Sequence, residues 1–153
     1  MKISLNWIND YVDLSGVDLK DLINKFTLST AEVEDMYEVG KDISGVIVAK
    51  VVSCQNHPNS NHLHLLKVDT GSEVVDCVCG AKNVKEGMLV AFAPVGSHVL
   101  QGEMKEAVVA GYKSQGMCCS KQELGLEEKS DGIWEIVDDV KLGTDIKSVY
   151  QIE

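Results

Sequence analysis

Apolar residues recur at helical spacing near the start of the chain and at strand spacing over most of the remainder. Leu5, Ile8 and Val12 share one helical face, and Ser4 stands where an N-cap would open a short helix over Leu5 to Tyr11. Asp18 is placed to cap a second helix, in which Leu19, Leu22, Ile23 and Phe26 form one stripe against Lys20, Asp21, Asn24 and Lys25. From Thr30 to Val39 the pattern alternates, with Val33, Asp35, Tyr37 and Val39 on one side and Glu32, Glu34, Met36 and Glu38 on the other. That alternation predicts an acidic edge strand. A segment of this size buries little surface by itself and is expected to pack on something else.

Beyond Gly45 the texture changes to short β-rich runs separated by turn residues. Gly45 to Ser53 is nearly continuous and β-branched, as for a strand buried on both faces. Leu63 to Asp69 is a second strand, turned by Thr70-Gly71-Ser72 into a third over Glu73 to Cys79. Met88 to Ala93 follows, closed by Pro94-Val95-Gly96, and Glu106 to Tyr112 and Gly116 to Cys119 complete the set. Ser120 and Gly125 bracket a short helix over Lys121 to Leu124, Gly132 to Val137 reads as a late strand, and Thr144 can cap a terminal helix bearing Ile146, Val149 and Tyr150. About six strands and one short helix in ~105 residues predict a small Greek-key barrel with additions. The expected fold class is thus mainly β with peripheral helices (α+β), a Greek-key barrel plus a small N-terminal helical and strand segment.

Composition places the chain among folded proteins: 44% of its 153 residues are apolar and 25% charged. No run approaches the ~18 apolar residues of a membrane span. The opening residues lack the regions of a signal peptide, so a cytoplasmic location without membrane contact is expected. Five cysteines, an odd number, predict reduced thiols. Cys118 and Cys119 are neighbours on a strand, so one is expected in the core and one outside. Charge complicates any nucleic-acid role: 24 acidic residues face 14 basic ones, all lysine, for a net charge of −10. A local lysine stripe on an acidic body remains compatible with RNA, because screening is strong beyond ~8–10 Å.

His57, His62 and His64 lie close in sequence, and Cys77 and Cys79 share a strand face. Their spacing matches no common zinc pattern, and Pro58 with its flanking Asn residues reads as a polar loop, so no metal site is assigned. Phosphate-binding loops, nucleophile elbows and dinucleotide fingerprints are missing from the chain, and no catalytic residue is assigned. What remains is a scatter of small, amide-bearing and lysine-bearing segments at predicted strand ends, where barrel loops can meet one ligand. Lys67, Lys82, Asn83, Lys85, Lys113, Ser114, Ser120 and Lys121 are the candidate RNA-binding residues. The same glycines can simply close turns and the same lysines can simply be solvated, and spacing alone leaves the two readings level.

The segments in combination carry a resemblance. His57-Pro58-Asn59 with Leu63, Val68-Asp69 with Gly71, Cys79 to Val84, Val95-Gly96-Ser97, and Ser114 to Ser120 followed by Glu123-Leu124-Gly125-Leu126 closely resemble a tRNA-binding domain. That domain is shared by phenylalanyl-tRNA synthetase β subunits, methionyl-tRNA synthetase C-terminal domains and free-standing tRNA-binding proteins. It covers approximately Val39 to Thr144. Ser4 to Tyr11 and Thr27 to Val33 are similar to the opening of the bacterial phenylalanyl-tRNA synthetase β subunit.

The resemblance implies an accessory tRNA-binding module whose parent (αβ)₂ enzyme charges tRNA-Phe with phenylalanine. Its ATP and magnesium would serve a catalytic site on the α subunit, reached through the remainder of the β subunit, with no cofactor in these residues. It also implies that this chain is part of a longer one. Residues 1–38 would be the first part of a discontinuous α/β domain, 39–147 the tRNA-binding OB-fold domain, and 148–153 the start of the returning segment. A free-standing homodimeric tRNA-binding or chaperone-like protein, and a structural domain that never touches RNA, are the alternatives. The family's loop after His57-Pro58-Asn59 commonly carries an acid and a base; here Ser60-Asn61-His62 stand instead. With lysine as the only strong cation, tRNA contact is expected to be weak and salt-sensitive.

Overall fold

A computed structural model describes residues 2–150, which divide into two compact units between Tyr37 and Glu38. In the first unit both expected caps are present. Ser4 Oγ accepts from Trp7 N at 3.2 Å to open α1 (Leu5–Asn9), and Asp18 Oδ1 accepts from Asp21 N at 3.0 Å to open α2 (Leu19–Ser29). The alternating stretch after Thr30 is irregular and pairs with no strand among the described residues, so the acidic edge strand is not formed. A period of two makes a chain able to be a strand, but the ladder needs a partner edge to satisfy its backbone groups. Trp7 and Tyr11 meet edge to face at 5.8 Å, yet both are largely exposed.

The second unit holds the β structure. Three antiparallel strands run as a meander: β1 (Ile47–Asn56), β2 (His64–Asp69) and β3 (Val74–Cys79). β4 (Leu89–Pro94) then returns to the other edge of β1, giving the spatial order β4-β1-β2-β3 of a Greek key. Short hairpins follow, β5 (His98–Val99) with β6 (Gly102–Glu103) and β7 (Ala107–Val109) with β8 (Tyr112–Ser114). β9 (Gly116–Cys118) and β10 (Glu135–Ile136) share the remaining edge of β4.

β1 pairs with β4 along its first half and with β2 along most of its length. It makes the bend at Val52, an extra residue between the Val51–Val68 and Ser53–Lys67 pairs. Such a bulge increases local twist and curls a sheet toward closure. Closure itself lies between β3 and the β8–β9 segment. Gln115 N donates to Asp76 O at 2.8 Å, and Ser114 Oγ accepts from Val78 N at 3.1 Å while donating to Gly116 O at 3.0 Å. Gly116, at φ +146°, lies so close to Phe92 and Ala93 O that a Cβ would come within 2.6 Å of that carbonyl oxygen. The result is the expected barrel of OB type, nearly closed.

Period-two alternation sends β4 side chains to two separate cores. Val90 and Phe92 enter the barrel interior with Ala49, Val51, Val68 and Cys118. Ala91 and Ala93 face outward, where Ile43, Val46, Cys119, Leu124 and Ile146 of helix α3 (Ile146–Tyr150) cover them. Cys118 and Cys119 therefore do point to opposite faces, but both are buried, which corrects the expectation that one would be outside.

Three further expectations change. Glu106 to Tyr112 is not one strand but the β7–β8 hairpin, turned by Ala110 and Gly111, both at positive φ (49° and 86°). Lys121 to Leu124 makes a single turn. It is closed in front by reciprocal Ser120–Glu123 bonds and behind by Leu126 N to Lys121 O (2.9 Å) and Gly125 N to Gln122 O (3.0 Å), too short for a helix. α3 is opened by Asp145, whose Oδ1 accepts from Lys147 N at 2.8 Å, because the Thr144 hydroxyl turns back to Lys141 O. Residues 151–153 of the expected returning segment lie outside the described residues.

Candidate nucleic-acid interface

β3 and β9 end side by side at the barrel seam, and the chain that leaves each of them frames a groove of about 540 Å³. One wall is Gly80-Ala81-Lys82, the floor carries Cys79 and Cys118, and Ser120 and Glu123 come from the turn after β9. A strap over Ser130 to Ile133 forms the opposite wall and is shared with a smaller depression of about 210 Å³ that reaches Lys121 and Trp134.

Asn83 holds that strap in place. Its Nδ2 donates to Ile133 O at 2.9 Å and its Oδ1 accepts from Ile133 N at 3.1 Å, the two bonds a neighbouring strand would make. Gly132 leaves room beside it, since a Cβ there would overlap the Asn83 amide and push that side chain off the strap. Lys82 and Lys85 are exposed and form no ion pair among the described residues. Lys121 pairs with Glu127 at 3.1 Å and sits 5.5 Å from the centre of the Trp134 ring. Thus Lys82, Ser120 and Lys121 gather around the joined depressions, with Glu123 and Asp131 as acidic neighbours that limit how much anion the groove tolerates.

The other candidates sit elsewhere. Lys67 pairs across β2–β3 with Asp76 at 2.9 Å, and Lys113 pairs across the β7–β8 hairpin with Glu106 at 3.0 Å. Both pairs are about half exposed, so either lysine can trade its carboxylate for a phosphate at little cost. Ser114 is buried with its hydroxyl committed to the seam, and Ser120 Oγ is committed to Glu123. In the histidine loop, His57 is buried, accepts from Asn59 N at Nδ1 (3.0 Å) and so donates from Nε2 to Ala110 O at 3.1 Å. It fastens the loop to the β7–β8 turn, with Tyr112 packed edge-on at 4.9 Å. Sequence reasoning missed Trp134 and the strap because nothing local ties residues 130–134 to Asn83 or Lys121.

The thiols on the groove floor are electrostatically distinct. Cys118 is held well above its ordinary pKa by hydrogen bonds to Cys77 and Cys79, and burial adds to this. It has one proton to give. Cys77 already donates its own proton to Gly116 O at 3.4 Å, whereas Cys79 also accepts from Ala81 N at 3.5 Å, so Cys79 is the better anion. Donation from Cys118, against the cost of burial, brings Cys79 down to about 7. Among the described residues no three His, Cys, Asp or Glu side chains gather to hold a metal ion.

Comparison with known proteins adds the family context. Residues 46–145 match the family model described as "Putative tRNA binding domain". The phenylalanine–tRNA ligase beta subunit of Halalkalibacterium halodurans is 42% identical over 154 residues, covering 95% of this chain and 19% of the relative. That of Bacillus subtilis is 40% identical over 162 residues, covering all of this chain and 20% of the relative. The chain therefore spans about a fifth of the length of the curated relatives it matches. Among solved structures, the MetRS related protein from Pyrococcus horikoshii superimposes with a TM-score of 0.50 at 24% identity, over 71% of this chain and 95% of that one. That likeness speaks to the barrel fold alone.

Proposed function

Because this chain belongs to the family of tRNA-binding domains, we propose that it is the accessory tRNA-holding module of a phenylalanine–tRNA ligase β subunit, and that its lysines hold tRNA by its phosphates. The observation that carries this reading is the family match over the whole barrel together with relatives that align from the first residues onward. Lys82 and Lys121 at the groove, with Lys85 nearby in sequence and Lys67 and Lys113 on neighbouring strands, supply the cations. They act as point charges without the planar fork of arginine, so they position a backbone rather than read bases. Joining phenylalanine to tRNA-Phe, with its ATP and magnesium, is expected of the α subunit. This chain reaches that subunit through the rest of the β subunit, and residues 1–38 are the first part of a domain completed by later sequence. Work in the cytoplasm fits this role, and no described helix is long and apolar enough to cross a membrane.

The test is tRNA binding by this chain at low and moderate salt, with Lys82→Ala and Lys113→Ala variants. Binding at low salt that weakens in the variants supports the reading. No binding at low salt favours the structural-domain reading, to which the net charge of −10 and the ion-paired lysines point. Binding unchanged in both variants moves the contact surface elsewhere.

A further inference from the structure

We propose that Cys79 and Cys118 form an oxidisable dithiol pair in the floor of the groove, open to small-molecule disulfides and closing into a protein disulfide. The two residues end β3 and β9, the strands that meet across the barrel seam, and both line the same open groove. They belong to one packed cluster, 7% and 4% exposed, in which the Cys118 thiol lowers the pKa of its neighbour Cys79. Ala81 N, at 3.5 Å, aims a backbone donor at the Cys79 sulfur. A groove of about 540 Å³ has room for a small thiol compound.

The other three cysteines lack this combination. Cys54 is the most exposed but lies outside the groove, and burial pushes its thiol up. Cys77 shares their cluster and is also lowered by Cys118, but it does not line the groove and its own proton goes to Gly116 O. Cys119 is fully buried in the other core, where burial raises it strongly.

The chemistry balances with a low-molecular-weight disulfide as oxidant. The Cys79 thiolate attacks one sulfur, forming a mixed disulfide and releasing one small thiolate, which takes up a proton from water. Converting Cys79 removes a negative charge that held the Cys118 proton. Cys118 then loses that proton to solvent and attacks the Cys79 sulfur, forming the protein disulfide and expelling the second small thiolate. Two protein thiols are oxidised by two electrons, and one disulfide is reduced to two thiols.

The test uses the whole chain with oxidised glutathione, quenched by alkylation and mapped by peptide mass spectrometry. The expected course is a mixed disulfide on Cys79 first, then a Cys79–Cys118 cross-link. The Cys118→Ser variant should stop at the mixed disulfide, and Cys79→Ser should leave Cys118 reduced. A second readout avoids any folding defect in the variants. Native iodoacetamide labelling of Cys79 in the unaltered chain should rise to a plateau with a midpoint near pH 7, against ~8.5 for an ordinary thiol. At pH 7 this gives roughly 15-fold more thiolate than an ordinary cysteine. Modification of Cys54 with Cys79 left reduced overturns the proposal, as does a cross-link through Cys77 or a labelling rate that climbs past pH 8.5 without a plateau. The readouts need no RNA, so the thiol pair and the tRNA reading stand or fall separately.

Discussion

Replacing Asn83 by alanine tests whether this residue is a ligand or a staple. The side chain makes two bonds to the Ile133 backbone, at 2.9 and 3.1 Å, and Ile133 is 93% buried by its 7% exposure. Each bond contributes a net ~0.5–1.5 kcal/mol, and a buried group left unpaired costs ~1–3 kcal/mol. Asn83 itself is exposed, so water can reach part of the vacated space and the lower half of that range applies. The expected loss is about 2–3 kcal/mol. In urea, where small proteins have slopes of ~1–3 kcal/mol per molar, the midpoint should fall by about 1–2 M with the slope unchanged. Hydrogen exchange should quicken first at Ile133 and Trp134, whose strap loses its tie. A midpoint within ~0.3 M of the parent chain, with tRNA binding reduced, would refute the staple and restore Asn83 as a direct contact.

Two other substitutions probe the barrel. Gly116→Ala forces a Cβ against Phe92 and Ala93 O at φ +146°, and should cost about 3 kcal/mol or more from overpacking and backbone strain, read as a thermal midpoint lowered by over ~10 °C. Tyr150 is raised above the usual phenol value by burial and by donating to Asp138 Oδ2 at 2.9 Å. Its contribution is thus fully present below pH ~10 and lost as pH rises through the higher folded value. Trp134 fluorescence, with the rings 4.7 Å apart, should report α3 loosening in that alkaline window, and Tyr150→Phe should remove the Tyr150-dependent part of the change.

Local chemistry was legible at most places where the sequence carried its own partner, Thr144 being the exception. Ser4 and Asp18 cap as read, because an N-cap needs only the next three residues. The four long strands were legible from β-branched runs bounded by turn residues, and Thr70-Gly71-Ser72 turns where expected, with Gly71 at φ +89°. Thr30 to Val39 was not, since alternation says nothing about whether a sheet edge is available. The β7–β8 turn was hidden because alanine gives no sign of the positive φ that Ala110 adopts.

The site divides in the same way. Lysines could be placed near strand ends from sequence. Which serines and amides were already engaged depended on contacts between distant residues, as in Ser114 with Val78 and Asn83 with Ile133. Small polar residues at strand ends look alike whether they await a ligand or close a seam.

If a few lysines on an acidic body hold tRNA by its phosphates, the binding must weaken as salt rises. A titration of tRNA binding between ~50 and ~200 mM salt should give log K against log salt with a slope of about −2 to −4, as for a handful of phosphate contacts. Lys82→Ala should make that slope shallower by about 0.7–0.9, the loss of one contact. Binding that ignores salt, or no binding even at the lowest salt, would rule out lysine–phosphate contact.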